Sequence, residues 1–233
     1  MTMNKLTNSL KQAILSLNIK DGMTLSFHHH LRNGDYVINL VMQQIAELGI
    51  RDICVQASSI FDCHYPLVEL IKSGVISSIE TGYMNGRVAE AISRGEMKKP
   101  VVFRSHGSRA AKIDSGDIII DVAFIAAPSA DCMGNANGSH GKSACGPLGY
   151  ALPDVKSAKK VVIISDNIRP YPLSPASIRE NDVDMVVELD RIGDPKGIVS
   201  GTTQMTRDPV QMKIAELASR AIIASGLVKE GFS

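Results

Sequence analysis

Apolar residues recur along this chain in two rhythms. Leu10, Ile14 and Leu17 stand at helical spacing, and so do Val37, Leu40, Val41, Ile45 and Leu48 across residues 35–49. Between them MTLSF, residues 23–27, is a short apolar run that predicts a buried strand. The alternation then repeats. RDICVQASS (51–59), VISSIETG (75–82) and PVVFRS (100–105) predict strands, while LVELIKSG (67–74) and GRVAEAISRG (86–95) predict helices, each ending on a glycine. DIIIDVAFIAAPSAD (117–131) is the most apolar run, with Pro128 placed to end it. KKVVIISD (159–166) and VDMVVELD (183–190) predict two more buried strands. A final helix is expected over 208–226, with Asp208 as N-cap, Pro209 as first residue and Gly226 as stop. Strands that are apolar throughout and alternate with helices imply an α/β fold, with a mostly parallel sheet and helices on both faces. Residues 1–233 are expected to form a single such domain.

Composition narrows the class. The 233 residues carry a formal net charge of +1, so there is no basic surface for nucleic acid or a membrane. Trp is absent and aromatic residues are 4% of the chain, which argues against a base-stacking platform. No apolar run has the length of a membrane span. The N-terminal MTMNKLTNSLKQAIL is polar and amphipathic, unlike a signal peptide. Cys54, Cys63, Cys132 and Cys145 show no CxxC spacing, which predicts reduced thiols in a cytoplasmic protein. There is no internal repeat, and the three prolines of NIRPYPLSPAS (167–177) predict a rigid loop.

Three stretches carry candidate chemistry. The first is SFHHHLRNG (26–34), where three histidines and Arg32 follow the first long strand and precede a helix expected to begin near Gly34-Asp35. Ligands of parallel α/β sheets bind beyond the carboxyl ends of strands, and a helix N-terminus there favours anions. An anion-binding loop for carboxylates or phosphates is one reading. The other is a strand end with one buried histidine and two exposed ones. A metal site is disfavoured, because consecutive histidines in a strand diverge and only His28 and His30 can converge. The second stretch, DCMGNANGSHGKSACGPLG (131–149), has five glycines, and serves either as a ligand-cradling loop or as a glycine-rich surface turn. Its GSHGKS lacks the first glycine of a phosphate-binding P-loop, since Ala136 stands at that position, so a nucleotide triphosphatase is rejected. The third is RSHGSRAAKIDSG (104–116), whose Arg104, His106, Arg109 and Lys112 suit an acidic ligand or a solvated loop equally. Cys54 and Cys63 have no histidine signature nearby, and Ser26 has no nucleophile elbow around it.

Several longer words are more specific. SFHHHLRNGDYVIN (26–39), GRVAEAISRGEM (86–97), SGDIIIDVAFIAAPSADCMGNANG (115–138), CGPLGYA (145–151), PYPLSPASI (170–178) and GTTQMTRDP (201–209) together resemble the alpha subunit of citrate lyase, a citrate–acyl-carrier-protein transferase. The resemblance runs from about Leu17 to the last residue. It implies a CoA-transferase fold of two related α/β halves with the active site at their junction, and this chain as the N-terminal half. It implies exchange of acetate for citrate on an acyl-carrier thioester, giving citryl-carrier and acetate, before a beta subunit cleaves the citryl thioester. It also implies no tightly bound cofactor here. A CoA-like phosphoribosyl-dephospho-CoA arm would arrive on the gamma acyl carrier subunit. Family members continue beyond KEGFS, so this half is expected to be inactive alone.

Citrate and the carrier arm are both polyanions, and the three stretches supply anion donors at strand ends. The expected substrate-binding residues are therefore His28, His29, His30, Arg32, His106, Asn135, Asn137, Gly138 and Lys142. No nucleophilic glutamate maps onto this half, so no catalytic residue is assigned, and no metal is expected. The competing readings are a CoA-transferase for another short acid, a carrier-docking module inactive alone, and a sugar-phosphate isomerase.

Overall fold

A computed structural model describes residues 4–198 and 206–228. The chain separates into two units, Met1–Val199 and Ser200–Ser233. The first contains β1 (Leu6–Thr7), α1 (Leu10–Ser16), β2 (Thr24–Phe27), α2 (Val37–Glu47), β3 (Ile53–Ala57), α3 (Leu67–Lys72), β4 (Ile76–Thr81), α4 (Gly86–Ser93) and β5 (Val102–Phe103). It continues through α5 (His106–Asp114), β6 (Val122–Ala126), β7 (Ser129–Asp131), β8 (Ala136–Asn137), α6 (Leu152–Ser157), β9 (Lys160–Ser165), β10 (Ile168–Arg169), β11 (Met185–Glu188) and α7 (Pro195–Ile198).

Eight strands form one sheet in the order β1-β11-β9-β6-β2-β3-β4-β5. Every neighbouring pair is parallel. Both faces are buried, which is why the strands are apolar at successive positions rather than at alternate ones. Along β6, Val122, Phe124 and Ala126 pack with residues of α1 to α4 on one face. Ala123 and Ile125 pack with Ile113 of α5 and Val155 of α6 on the other. Each such fully buried aliphatic or aromatic side chain contributes roughly 1.5–3 kcal/mol. The expected α/β class and two-sided cover are therefore present.

Three segments differ from the sequence reading. The third basic stretch is not a loop but α5, begun by Ser105, whose hydroxyl accepts the Ser108 N–H. The strand expected over 100–105 shrinks to two exposed residues, because β5 is an edge strand paired only with β4. The glycine-rich stretch is a surface turn only in its second part, where residues 139–142 are exposed. It carries β7 and β8, which with β10 make a three-stranded sheet, and residues 133–138 are buried.

The second unit holds α8 (Pro209–Ala224), with the Asp208 side chain accepting from Gln211 N–H and Gly226 at φ 67° beyond its end. Residues 201–205 of the GTTQMTRDP word, and KEGFS at 229–233, lie outside the described residues. The four cysteines are free. Among the described residues no helix is long and apolar enough to cross a membrane.

Candidate functional site

Because the eight strands are parallel, the loops that follow them open on one edge of the sheet. The histidine run leaves β2 at that edge, beside Ser58 after β3 and Ala126 at the end of β6. Its backbone is not the anion cradle anticipated from sequence. The N–H groups of His29, Arg32, Gly34, Asp35 and Tyr36 bond to Ser58, His29, Leu31, Arg32 and Ile192. Helix α2 starts at Val37, later than expected, and the buried carboxylate of Asp35 accepts the Val37 N–H at 2.8 Å. A carboxylate already sits where an anion would bind. Gly34 is required by crowding, since a Cβ there would strike the Asp194 carbonyl. What remains for a ligand is side chains. Arg32 is exposed, at φ 50°, and its guanidinium makes no ion pair among the described residues.

The histidines depart from the reading of one buried and two exposed rings. His28 is buried, and His29 and His30 are half-buried. The rings of His28 and His30 stack with centroids 5.9 Å apart, as their shared side of the chain required. His29 meets His106 edge-on at 5.5 Å, and His106 stacks on Tyr150 at 5.1 Å. Tyr150 also touches His28 and His29, and its hydroxyl donates to the His106 carbonyl. His29 Nδ1 lies 2.5 Å from Ser58 Oγ, and His30 Nε2 lies 2.6 Å from the Ala126 carbonyl. Burial, together with neighbouring His106, His30, His28 and Arg32, lowers the His29 pKa to about 4. Burial and then the charge of His28 lower His30 to about 4 against the opposing Ala126 carbonyl. Both rings are therefore neutral at pH 7.

Beneath them lies a buried polar network. Asp154 on α6 accepts from Arg109 Nη1 at 2.9 Å and Nη2 at 2.6 Å, and the Ser26 hydroxyl donates to the same carboxylate. Arg109 Nη2 also bonds to Ser26 Oγ at 3.1 Å. His28 Nε2 approaches Asp154 Oδ2 at 3.2 Å, close enough for charge attraction although not aligned as a hydrogen bond. Burial pushes the Asp154 carboxyl up, but His28 and Arg109 more than offset this and hold it well below the usual carboxylate range. Arg109 is 1% exposed. Of the basic stretch, only His106 reaches the histidine cluster. Arg109 works from below, and Lys112 pairs with Asp117 at the surface.

The glycine-rich stretch reaches the same edge of the sheet but engages its polar groups internally. Asn135 donates to Asp131 at 2.9 Å and Glu180 at 2.8 Å, and accepts the Glu180 N–H. Asn137 donates to the Pro175 carbonyl and accepts the Ser139 N–H. Gly138 accepts from the Cys145 and Gly146 N–H groups, and a Cβ on it would collide with the Gly146 carbonyl. Lys142 is exposed and bonds to the Asp190 carbonyl. It lines a cleft of about 530 Å³ with Asn8, Asp166, Glu188, Leu189 and Asp190, rather than joining the histidines. Tyr150, Asp154 and Ser58 escaped the sequence reading of the site, and Ser26 was weighed only as a nucleophile, because only the fold brings 26–30, 58, 109 and 150–154 together.

No group of three or more His, Cys, Asp or Glu among the described residues could hold a metal ion. Tag-free protein is expected to contain no stoichiometric zinc by elemental analysis. One zinc per chain, lost in a His28→Ala/His30→Ala variant, is the opposite result.

The histidines also set the pH dependence of folding. With His29 and His30 at about 4 in the folded chain against 6.5 ordinarily, the unfolded chain binds protons first, so stability should fall as pH drops from 6.5 towards 4. Buried His64 acts in the opposite direction. Burial lowers its pKa, but Asp35, whose Oδ2 lies 3.3 Å away, and Cys63 bring it up to about 9. Its contribution is complete below 6.5 and is lost as pH rises towards 9. Urea unfolding at a series of pH values should give maximal stability near 6.5. A flat profile from there down to 4 would mean that His29 and His30 titrate as free histidines.

Against known proteins, the family described as citrate lyase, alpha subunit (CitF), matches residues 3–233. The chain is 47% identical over 229 residues to the citrate lyase alpha chain of Escherichia coli, covering 98% of this chain and 45% of that one. Identity to the Klebsiella pneumoniae citrate lyase alpha chain is 46%, over 98% of this chain and 45% of the relative. The chain thus spans about half the length of the curated relatives it matches. A Streptococcus mutans structure, described as an alpha subunit of citrate lyase in complex with citrate, is 50% identical with a TM-score of 0.89, covering 99% of this chain and 45% of that one. Glutaconate coenzyme A-transferase from Acidaminococcus fermentans superposes with a TM-score of 0.59 at 14% identity, over 83% of this chain and 77% of that one, a likeness of fold.

Proposed function

This chain belongs to the citrate lyase alpha-subunit family, and we propose that its strand-end cluster serves a citrate CoA-transferase reaction. In that reaction acetyl-carrier and citrate give citryl-carrier and acetate. The observation that carries the reading is the cluster of His28, His29, His30, Arg32 and His106 at the carboxyl edge of the sheet, in a family with a relative described in complex with citrate. Imidazole N–H groups and one exposed guanidinium suit carboxylates, which take their strongest hydrogen bonds from charged or planar donors.

The chemistry balances without a protein nucleophile. A citrate carboxylate oxygen attacks the acetyl thioester carbonyl, and the tetrahedral oxyanion collapses to expel the carrier thiolate. This leaves an acetyl–citryl anhydride. The thiolate then attacks the citryl carbonyl and expels acetate. Holding both substrates together converts each step to an effectively unimolecular one. Donors fixed around the carbonyl stabilise each oxyanion. The thioester arm, a CoA-like phosphoribosyl-dephospho-CoA group, would be supplied by the gamma acyl carrier subunit. A beta subunit would cleave the product, and the setting would be the cytoplasm.

Acetyl-carrier and labelled citrate, incubated with the chain extended to the length of its relatives, test this reading. Acetate release that requires citrate supports it, and release independent of citrate contradicts it. The present chain alone, spanning 45% of the Escherichia coli relative, should fold yet give little or no turnover in the same assay. Steady turnover by the purified chain would show that this half is sufficient.

A further inference from the structure

We infer that a second cleft, between the glycine-rich stretch and β10, binds a phosphate group through Arg169, His140 and Ser174. Its residues are not those of the histidine cluster, and the inference stands apart from the transferase reading.

The cleft measures about 370 Å³, and Ser129, His140, Asn167, Arg169 and Ser174 are among the residues that line it. Buried bonds fix its floor. Ser129 is 0% exposed, and its hydroxyl donates to the His140 carbonyl at 2.8 Å and accepts from the Asn167 amide at 2.8 Å. Gly141 is pressed on the same floor. A Cβ there would lie 2.5 Å from the Pro128 carbonyl oxygen and 2.8 Å from Asn167 Nδ2. The backbone that carries His140 is thereby pinned beside Asn167, two residues before Arg169. Ser129 follows Ala126, whose carbonyl holds His30, by three residues. At most roughly 11 Å of chain therefore separates this floor from the histidine cluster.

Charge then selects the ligand. Among the described residues no carboxylate lines the cleft, and Arg169 forms no ion pair. Its register neighbour on β7 is Asp131. That carboxylate already accepts the N–H groups of Met133, Gly134, Asn135 and Leu173 and the Asn135 amide. The guanidinium is left for a ligand. The His140 ring and the Ser174 hydroxyl are exposed and also without a bond among the described residues. The cleft thus gathers donors from three segments of the chain. A carboxylate presents two oxygens in one plane, which a single guanidinium satisfies. A phosphate presents three strong acceptor oxygens and more than one negative charge, which call for donors from several sides. A phosphate ester and free phosphate both offer this chemistry.

Titration of the chain extended to its relatives' length, followed by assigned imidazole resonances at constant ionic strength, tests this. Inorganic phosphate should shift His140 along a saturation curve, and acetate should leave it in place. Arg169→Gln, at an exposed position outside the histidine cluster, should keep its melting temperature and bind phosphate roughly ten-fold more weakly or worse. Ribose 5-phosphate separates the two sources. Binding ten-fold tighter than inorganic phosphate would assign the cleft to an ester, and equal binding to free phosphate. No shift of His140, an equal response to acetate, or unchanged phosphate affinity in Arg169→Gln overturns the inference and leaves the transferase reading standing.

Discussion

Asp154→Ala is expected to lower the unfolding free energy by about 3–5 kcal/mol, the cost of breaking a buried ion pair from one side. The carboxylate is 0% exposed and holds two guanidinium nitrogens and the Ser26 hydroxyl. Its removal strands Arg109, whose Nε is already buried without a partner. For a chain of this size the melting temperature should fall by roughly 10 °C. Removing both charges together, in Asp154→Leu/Arg109→Met, should recover much of the loss, because no buried charge is left unpaired. Chemical denaturation of Asp154→Leu, Arg109→Met and the double variant forms the cycle. A loss below about 1 kcal/mol in Asp154→Ala would place the pair among ordinary surface bridges.

The second large effect concerns Arg32 and should appear in function rather than stability. It is exposed and makes no ion pair among the described residues, so Arg32→Ala should change the melting temperature little. Loss of a charge-assisted contact to a carboxylate costs about 1.5–3 kcal/mol. Citrate use by the chain extended to its relatives' length should therefore weaken by roughly ten-fold to a hundred-fold. Citrate kinetics and thermal unfolding on one preparation separate the possibilities. A large fall in melting temperature with unchanged kinetics would make the turn structural.

The contrast between these residues marks what a sequence can tell. The sheet was legible because β6, β9 and β11 bury both faces and so lack polar interruptions. The last helix was legible because Asp208, Pro209 and Gly226 are local signals. The histidine turn was visible as a concentration of chemistry, but its surroundings were not. Arg109 belonged to a basic stretch, and nothing near it in sequence reveals that Asp154, 45 residues away, draws it inward. Ser58 looked like the end of a predicted strand, yet it bonds to the His29 ring. Asn135 and Asn137 looked free for a ligand because a glycine-rich stretch suggests an open loop. The structure instead folds that stretch into a small sheet and bonds both amides within it. Local pattern predicts elements, whereas partners set by long-range packing decide which side chains remain available.

The most direct measurement is a citrate titration of the six histidines, followed by assigned imidazole resonances in the chain extended to its relatives' length. If citrate occupies the strand-end cluster, His29, His30 and His106 should shift with a common saturation curve. His64, buried against Asp35, and His140, on the glycine-rich stretch, should stay in place. Shifts confined to His140, or no shift at any histidine under saturating citrate, would contradict the assignment of the site.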